Sequence, residues 1–351
     1  MSDPMHLWLR HETRATERRA PLTPADAAAV ISAGHRLTVE SSPQRIFGDD
    51  EYAQIGAEVA PALSWTEAPE NTVVLGLKEL PDAPAELAHR HVFFGHAYKG
   101  QSGATALLER FRRGGGTLLD VEYLTKGGRR VVAFGYWAGY VGASLAMLHT
   151  RGALTGAVQP MERAELDERL RGSAADTGED ERYLVTGSRG RSGSGALDAI
   201  AVGGGTSTGW DREETAALDK DALLAHDVLV NCVGVSEPAP PFVTAEDLDR
   251  PDRRLRTLSD VTADFTSDLN LLPVNDRETT WAEPVRRLHD GAHGTPPVDI
   301  VAIDNLPSLL PREASTTFSA DLLPHLLDLP RGTEPWRASR EVFEENLARL
   351  G

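Results

Sequence analysis

Cysteine is almost absent from these 351 residues, and the single Cys232 excludes an internal disulfide and a cysteine-built zinc site. Its setting, Val228-Leu-Val-Asn-Cys-Val233, reads as a buried strand, so a packed, inert thiol is expected there. No apolar run approaches the length a membrane span needs. The N-terminus shows no basic-then-apolar leader, and Leu350-Gly351 carries no lipidation or targeting signature. These absences point to a cytoplasmic enzyme without a membrane partner. Positive charge is also scarce: 36 Lys and Arg stand against 53 Asp and Glu, a net charge of −17. Such a surface repels phosphates and argues against a nucleic-acid partner. It leaves room for an anionic small substrate in a local cationic pocket, because salt screens distant charge. No ligand cluster suggests a metal, and there is no repeat of short period.

What is present is an ordinary globular composition, 40% hydrophobic and 25% charged, with a length that suits two domains. Strand signals fall at 6–9, 36–40, 72–77, 91–94 and 117–121. Helix signals alternate with them: Thr23-Pro24 opens one that Gly34 closes, and others cover 49–56 and 104–112. This rhythm predicts a parallel sheet covered on both faces. A longer helix over 136–150 carries Gly139, Gly142, Ala143 and Ala146 on one face, read as a tight seam between two domains. A charged helix over 161–170 leads into an acidic linker at 174–181. A second alternating set follows: strands at 182–186, 206–210, 228–232, 255–258 and 299–303, helices at 196–201 and 220–225, and terminal helices at 322–327 and 341–350. The expectation is an α/β protein of two Rossmann-like domains with parallel sheets. Their extents are 1–134 with 318–351, and 135–317.

Between the strand at 182–186 and the next helix lies Gly187-Ser-Arg-Gly-Arg-Ser-Gly-Ser-Gly195. In Gly187-x-x-Gly190-x-x-Gly193, one glycine permits a tight turn, another lets the main chain approach a pyrophosphate, and a third lets helix and strand pack closely. The helix N-terminus then offers N–H groups and a positive dipole end to phosphates. Asp211 ends the following strand, where a carboxylate accepts ribose hydroxyls and repels a 2′-phosphate, so NAD is favoured over NADP. The spacing departs from G-x-G-x-x-G, and a glycine-rich surface loop is the bland alternative.

Arg10, Arg14, Arg18 and Arg19 crowd the N-terminal loop, and Lys99, Lys126, Arg129 and Arg130 are further cations able to clamp carboxylates. Lys78 ends the buried strand Val73-Val-Leu-Gly-Leu77, where α/β enzymes keep their sites. A lysine near low dielectric or other cations becomes a base; one at a strand end also commonly snorkels to solvent. His96 ends the next apolar strand, so Lys78 and His96 can converge on one ligand, although His89 and His91 keep the histidine assignment open.

Taken together, Leu9-Arg-His-Glu-Thr13 with Arg19, Leu22-Thr-Pro24, Gly76-Leu-Lys-Glu79, His96-Ala-Tyr-Lys99 with Gln101, Arg129-Arg130 with Ala133-Phe-Gly135, Gly190-Arg-Ser-Gly-Ser-Gly195, Arg253-Arg-Leu-Arg-Thr257, Asp260-Val-Thr-Ala-Asp264 and Ile303-Asp-Asn-Leu-Pro-Ser-Leu-Leu-Pro-Arg-Glu-Ala-Ser315 resemble the NAD-dependent, lysine-forming saccharopine dehydrogenases of fungi over nearly the whole chain. The resemblance implies two Rossmann-like domains with a cleft between them, related to alanine dehydrogenase and the transhydrogenases. It implies Lys78 as catalytic base and His96 as acid. Arg14 stands where the family has a lysine in the N-terminal loop. Arg19, Gln101, Arg130, Phe134, Thr262, Ala263 and Asp264 match saccharopine contacts, and Lys99 is added as a carboxylate partner. Arg129, Gly190, Arg191, Asp211, Thr215, Val261, Ile303, Asp304, Asn305 and Leu306 match NAD contacts, beside Gly187 and Gly193 of the turn. The implied partner is a small molecule with several carboxylates, and the implied assembly a monomer or small homo-oligomer.

Other departures from the family pattern are Ser192 for a cysteine, Gly234 for a tyrosine, Asn305 for a histidine and the lack of a peroxisomal tail. With Ser192, a cross-link to Cys232 is impossible. Arg14, Gly234 and Asn305 all fall near the implied site. They keep open a related opine-type dehydrogenase with a different amine or oxo acid, alongside an alanine-dehydrogenase-like deamination and a non-catalytic dinucleotide-binding protein.

Overall fold

In the computed structural model, residues 4–173, 181–263, 265, 268–291 and 294–350 are described. The chain divides into two units, residues 1–133 with 311–351 and residues 134–310. In the first, short runs of buried apolar residues form β1 (His6–Leu9), β2 (Arg36–Glu40), β3 (Glu58–Ala60), β4 (Val73–Leu75), β5 (Arg90–Phe93) and β6 (Thr117–Asp120). All pair in parallel, in the order β3-β2-β1-β4-β5-β6. Their crossovers carry α1 (Pro24–Ser32), α2 (Asp49–Gln54) and α3 (Ala104–Gly114). Helix α1 begins where Thr23 Oγ1 accepts the Asp26 N–H, with Pro24 in the first turn, as its sequence foretells. The strand order reverses between β1 and β4, so the loops after those strands splay apart and leave a crevice at the sheet's C-terminal edge. A hairpin, β7 (Thr125–Lys126) and β8 (Arg129–Arg130), follows β6 across Gly127-Gly128.

The second unit opens with α4 (Gly135–Thr150) and α5 (Arg163–Ser173). It continues through β9 (Arg182–Thr186), α6 (Arg191–Val202), β10 (Thr206–Trp210), α7 (Arg212–Ala216), α8 (Lys220–Leu224), β11 (Val228–Asn231), α9 (Ala245–Leu248), β12 (Thr257–Asp260), β13 (Arg286–His289) and β14 (Val298–Val301). Its sheet runs β10-β9-β11-β12-β14-β13, parallel except for the antiparallel edge strand β13. Here the order reverses between β9 and β11. The chain then returns to the first unit as α10 (Pro311–Asp328) and α11 (Glu334–Ala348). Among the described residues no helix is long and apolar enough to cross a membrane.

Several expectations need correction. The small-residue helix α4, expected to form a seam between domains, packs on α6 inside the second unit and is buried on all sides from Gly139 to Leu148. Helix α6 starts at Arg191 rather than 196, because Gly193 and Gly195 pack too tightly to leave room for a loop. The helix expected over 322–327 is the end of the 18-residue α10, which tolerates Pro324. Strands β3 and β13 and the β7–β8 hairpin are additional to those expected. Cys232 lies one residue beyond β11, half-buried rather than inside the strand. Most of the acidic linker, residues 174–180, lies outside the described residues.

Burial also sets a pH dependence. His91 is completely buried on β5, with its ring edge-on to Trp65 and Phe111, and neither ring nitrogen has a hydrogen-bond partner among the described residues. Burial, aided by the charge of Arg10, holds its pKa well below 6.5. Unfolded, His91 takes up a proton as pH falls below about 6.5; folded, it does not. Its contribution is therefore intact above that pH and is lost below it, at about 1.4 kcal/mol per pH unit. Asp120, raised to about 7 by burial, works in the opposite sense because the folded state binds the extra proton. The difference between variants isolates His91. Urea midpoints followed from about pH 7.5 to about pH 5.5 should fall less steeply in His91→Phe than in the parent; parallel curves would contradict this account.

Candidate active site

The first unit gathers its polar groups at the C-terminal ends of β1, β4, β5 and β6. Beyond the paired segments of β4 and β5, the Phe94 N–H still donates to the Leu77 carbonyl at 3.2 Å. Lys78 and His96 thus leave neighbouring parallel strands at the same edge. The half-buried Lys78 is held through its backbone. Glu12, 6% exposed, accepts the Leu77 N–H at 2.6 Å and the Lys78 N–H at 2.9 Å, and the Arg10 guanidinium donates to the Lys78 carbonyl. Arg10 and Glu12 pair at 3.2 Å. Arg14 bonds Glu79, beside Lys78, at 2.7 Å.

Arg19 is buried, and its Nε and Nη2 donate to Glu17 at 2.8 and 2.6 Å. Burial would push the Glu17 carboxyl up, but Arg19, with help from the charge of Lys78, brings it down to about 2. The loop after β1 is therefore a layer of buried ion pairs beside the Lys78 turn.

His96 sits exposed after β5 with φ +47°, an unusual conformation for a residue with a Cβ. Its Nδ1 lies 3.9 Å from Glu122 Oε2. Glu122 Oε1 accepts Lys99 Nζ at 2.8 Å and Arg130 Nη2 at 3.0 Å, and Gln101 Oε1 accepts the Lys99 N–H at 2.8 Å. Desolvation opposes ionisation of Glu122, yet Lys99 and Arg130 outweigh it and hold its pKa below the usual range. Four of the expected residues, His96, Lys99, Gln101 and Arg130, thus form one cluster, and the carboxylate that organises it escaped the sequence reading. A carboxylate at the end of a parallel strand was the available signal. A cavity of about 510 Å³ opens beside His96, lined by Glu79, Phe93, Gly95, Leu107, Arg110 and Arg113 among others.

In the second unit Gly187, with φ +70°, turns the chain out of β9, and its N–H donates to the Trp210 carbonyl at 2.7 Å. Gly190 is the N-cap of α6 and brings no capping side chain, and Arg191 opens the helix. A Cβ at Gly193 would lie 2.1 Å from the Gly187 carbonyl oxygen, so only glycine allows the helix to start this close to the turn. Asp211, just past β10, accepts Ser188 Oγ at 2.5 Å and the Arg189 N–H at 3.2 Å, and Thr215 bonds its carbonyl at 2.7 Å. Turn, helix start and acid thus lie together at the C-terminal ends of β9 and β10.

Val261 and Leu306 close on Gly142 of α4, where a Cβ would meet their side chains at 2.8 and 3.3 Å. Ile303 pairs with Thr279 beyond β14, Asp304 follows it, and Asn305 takes φ +68° with Nδ2 donating to Ser308 at 3.1 Å. Thr262 donates to the fully buried Asp260 at 2.7 Å, and Ala263 N–H reaches the same oxygen at 3.3 Å. Asp260, missed by the sequence reading, anchors this loop with Asn231 and Asn275. Phe134 precedes α4 in the second unit, Arg129 stands on β8 of the first, and Asp264 lies outside the described residues. Among the described residues, nothing beyond its chain neighbours comes within 4 Å of where a Cβ at Gly234 would sit.

Burial, then the charge of Asp260, pushes the Cys232 thiol up to about 12. Alkylation of the folded protein at neutral pH is expected to run more than about tenfold slower than in urea; equal rates would remove the argument.

Residues 8–141 match the family described as alanine dehydrogenase/PNT, N-terminal domain. A saccharopine dehydrogenase [NAD(+), L-lysine-forming] of Neurospora crassa is 41% identical over 99% of this chain and 98% of its own length. The protein of that name from Emericella nidulans is 40% identical over 98% of both. Among solved structures, an L-alanine dehydrogenase superposes with a TM-score of 0.68 at 17% identity, covering 97% of this chain and 94% of its own, which confirms two Rossmann-like sheets of the expected kind. With that fold and relatives matched end to end, the chain belongs to the NAD-dependent, L-lysine-forming saccharopine dehydrogenase family.

Proposed function

We propose that this enzyme oxidises saccharopine to L-lysine and 2-oxoglutarate with NAD, and runs the reverse condensation. The first unit supplies the proton-transfer groups and the carboxylate clamps; the second supplies most of the NAD contacts. The observation that carries this reading is the departure of Lys78 and His96 from adjacent parallel strands, with the Glu122–Lys99–Arg130 cluster beside them.

When bound, NAD accepts the hydride from the carbon that bears the secondary amine. Before that carbon can release it, the amine must be neutral, because an ammonium has no lone pair to push. One group of the Lys78–His96 pair takes that proton. Water then adds to the substrate iminium and gives its proton to the partner that is still neutral, and the group protonated first returns its proton to the departing amine as the carbinolamine collapses. Arg19, Lys99 and Arg130 face the substrate carboxylates, with Glu122 holding the last two until substrate arrives. Arg14, Gln101, Phe134, Thr262, Ala263 and Asp264 complete the substrate set. The cradle of Gly187, Gly190, Arg191 and Gly193, with Asp211 and Thr215, takes the pyrophosphate and ribose; Arg129, Val261, Ile303, Asp304, Asn305 and Leu306 complete the NAD set.

The test is NADH oxidation with lysine plus 2-oxoglutarate, with the mass of the product recorded. A product of saccharopine mass is expected, and no turnover with this pair would overturn the assignment. The open space at Gly234 favours one second reading, an opine-type dehydrogenase for another amine. Faster turnover with a different amine in a panel would select it.

A further inference from the structure

We infer that Asp120 is the positioning residue of the proton-transfer site, its single buried carboxylate fixing the backbone turns that carry His96 and Glu122. The inference rests on the proposed role of His96. Asp120 is the last residue of β6 and is fully buried. Its Oδ2 accepts the Gly95 N–H at 3.1 Å and its Oδ1 accepts the Glu122 N–H at 2.8 Å. One side chain thus grips the residue before His96 and the residue whose carboxylate faces His96 at 3.9 Å. Asp120 is itself pinned: its carbonyl accepts Ser339 Oγ of α11 at 2.9 Å, and its register on β5 is opposite Phe93.

The gap between β5 and the Asp120 carboxylate is also tight. A Cβ at Gly95 would lie 2.6 Å from Leu118 Cδ2 and 3.1 Å from Asp120 Oδ2, so the His96 turn has only one seat. Left-handed backbone at His96, one residue on, persists only where its surroundings over-determine it. The charged or titratable groups around Asp120 are Glu122 and Arg130, with Tyr98 and Tyr123 on the loops beside it. Burial raises its carboxyl to about 7 against the pull of its two N–H donors. That is the cost of keeping a two-armed acceptor where no asparagine serves both arms: an amide gives one oxygen and turns an NH₂ against the other N–H donor.

A double-mutant cycle of Asp120→Asn and His96→Gln tests this, with kcat measured for lysine plus 2-oxoglutarate and NADH affinity and thermal midpoint as checks of fold. Asp120→Asn alone is expected to lower kcat about tenfold or more, with NADH affinity within about twofold of the parent; in the His96→Gln background its effect should shrink to under about threefold. A small effect of Asp120→Asn in the parent overturns the inference and leaves the role of His96 standing. So does an equal effect in both backgrounds. Normal turnover of His96→Gln overturns the proton role of His96 and the inference with it. If Asp120→Asn does not fold, Gly95→Ala replaces it in the same cycle, and additivity there overturns the inference.

Discussion

Lys78→Met and His96→Gln are each expected to lower kcat by about 10² to 10⁴, the usual worth of a positioned acid or base. Methionine keeps the length and apolar stem of lysine, so the packing of the β4 end survives. The backbone survives too, because the Leu77 and Lys78 N–H groups are held by Glu12 and the Lys78 carbonyl by Arg10, none of which involves the Nζ. The loss then reports the missing amine. Glutamine at 96 retains a donor toward Glu122 but cannot titrate, so the pH–rate profile should lose one limb as well as height. KM for lysine should move less than kcat, since neither change removes a carboxylate clamp. The double variant should fall little below the worse single one, because both groups serve the same proton movements. Turnover within about threefold of the parent in either single variant would sink the proton roles assigned here.

How far the chain announced this arrangement depends on the range of the interaction that decides each part. Boundaries at His6–Leu9, Arg36–Glu40, Arg182–Thr186 and Thr206–Trp210 were legible residue for residue, since each is a short run of strand formers bounded by punctuating residues. The start of α6 was not, because Arg191-Ser-Gly-Ser-Gly195 has the composition of a loop and becomes helix only through packing on α4. Short β3, mostly exposed, and β13, mostly half-buried, carry no periodic signal. Among site residues, Lys78 and His96 stood out as polar groups ending apolar runs. Glu122 and Asp120 did not, because their meaning comes from β6 lying beside β5, a pairing between segments more than twenty residues apart. Asp260 is hidden for the same reason: its partners Asn231 and Asn275 arrive from separate stretches of chain.

Gly139→Ala is expected to destabilise the protein by about 2 kcal/mol or more and to weaken NAD binding with it. A Cβ at 139 would stand 1.7 Å from the Ser192 carbonyl oxygen and 2.5 Å from its carbon. Both are backbone atoms in the first turn of α6, so no side chain can swing aside. Gly195 makes the reciprocal approach from α6, where a Cβ would lie 2.0 Å from the Tyr136 carbonyl oxygen of α4. The two helices therefore touch backbone to backbone at two glycine steps, and a methyl group must push their axes apart. Alanine's better helix propensity returns only about 0.5–1 kcal/mol. A drop in thermal midpoint of about 4 °C or more follows for a unit of this size. Because the displaced turn holds Gly190 and Arg191, NADH affinity should fall about tenfold in the same variant, at temperatures where it is still folded. Gly172→Ala supplies the contrast: it lies in α5 of the same unit, where among the described residues nothing beyond its own helix comes within 4 Å of the added Cβ, and should leave the midpoint unchanged or raise it. If Gly139→Ala melts with the parent and binds NADH as tightly, the two helices are not in backbone contact and the glycines on α4 have no part in seating the phosphate turn.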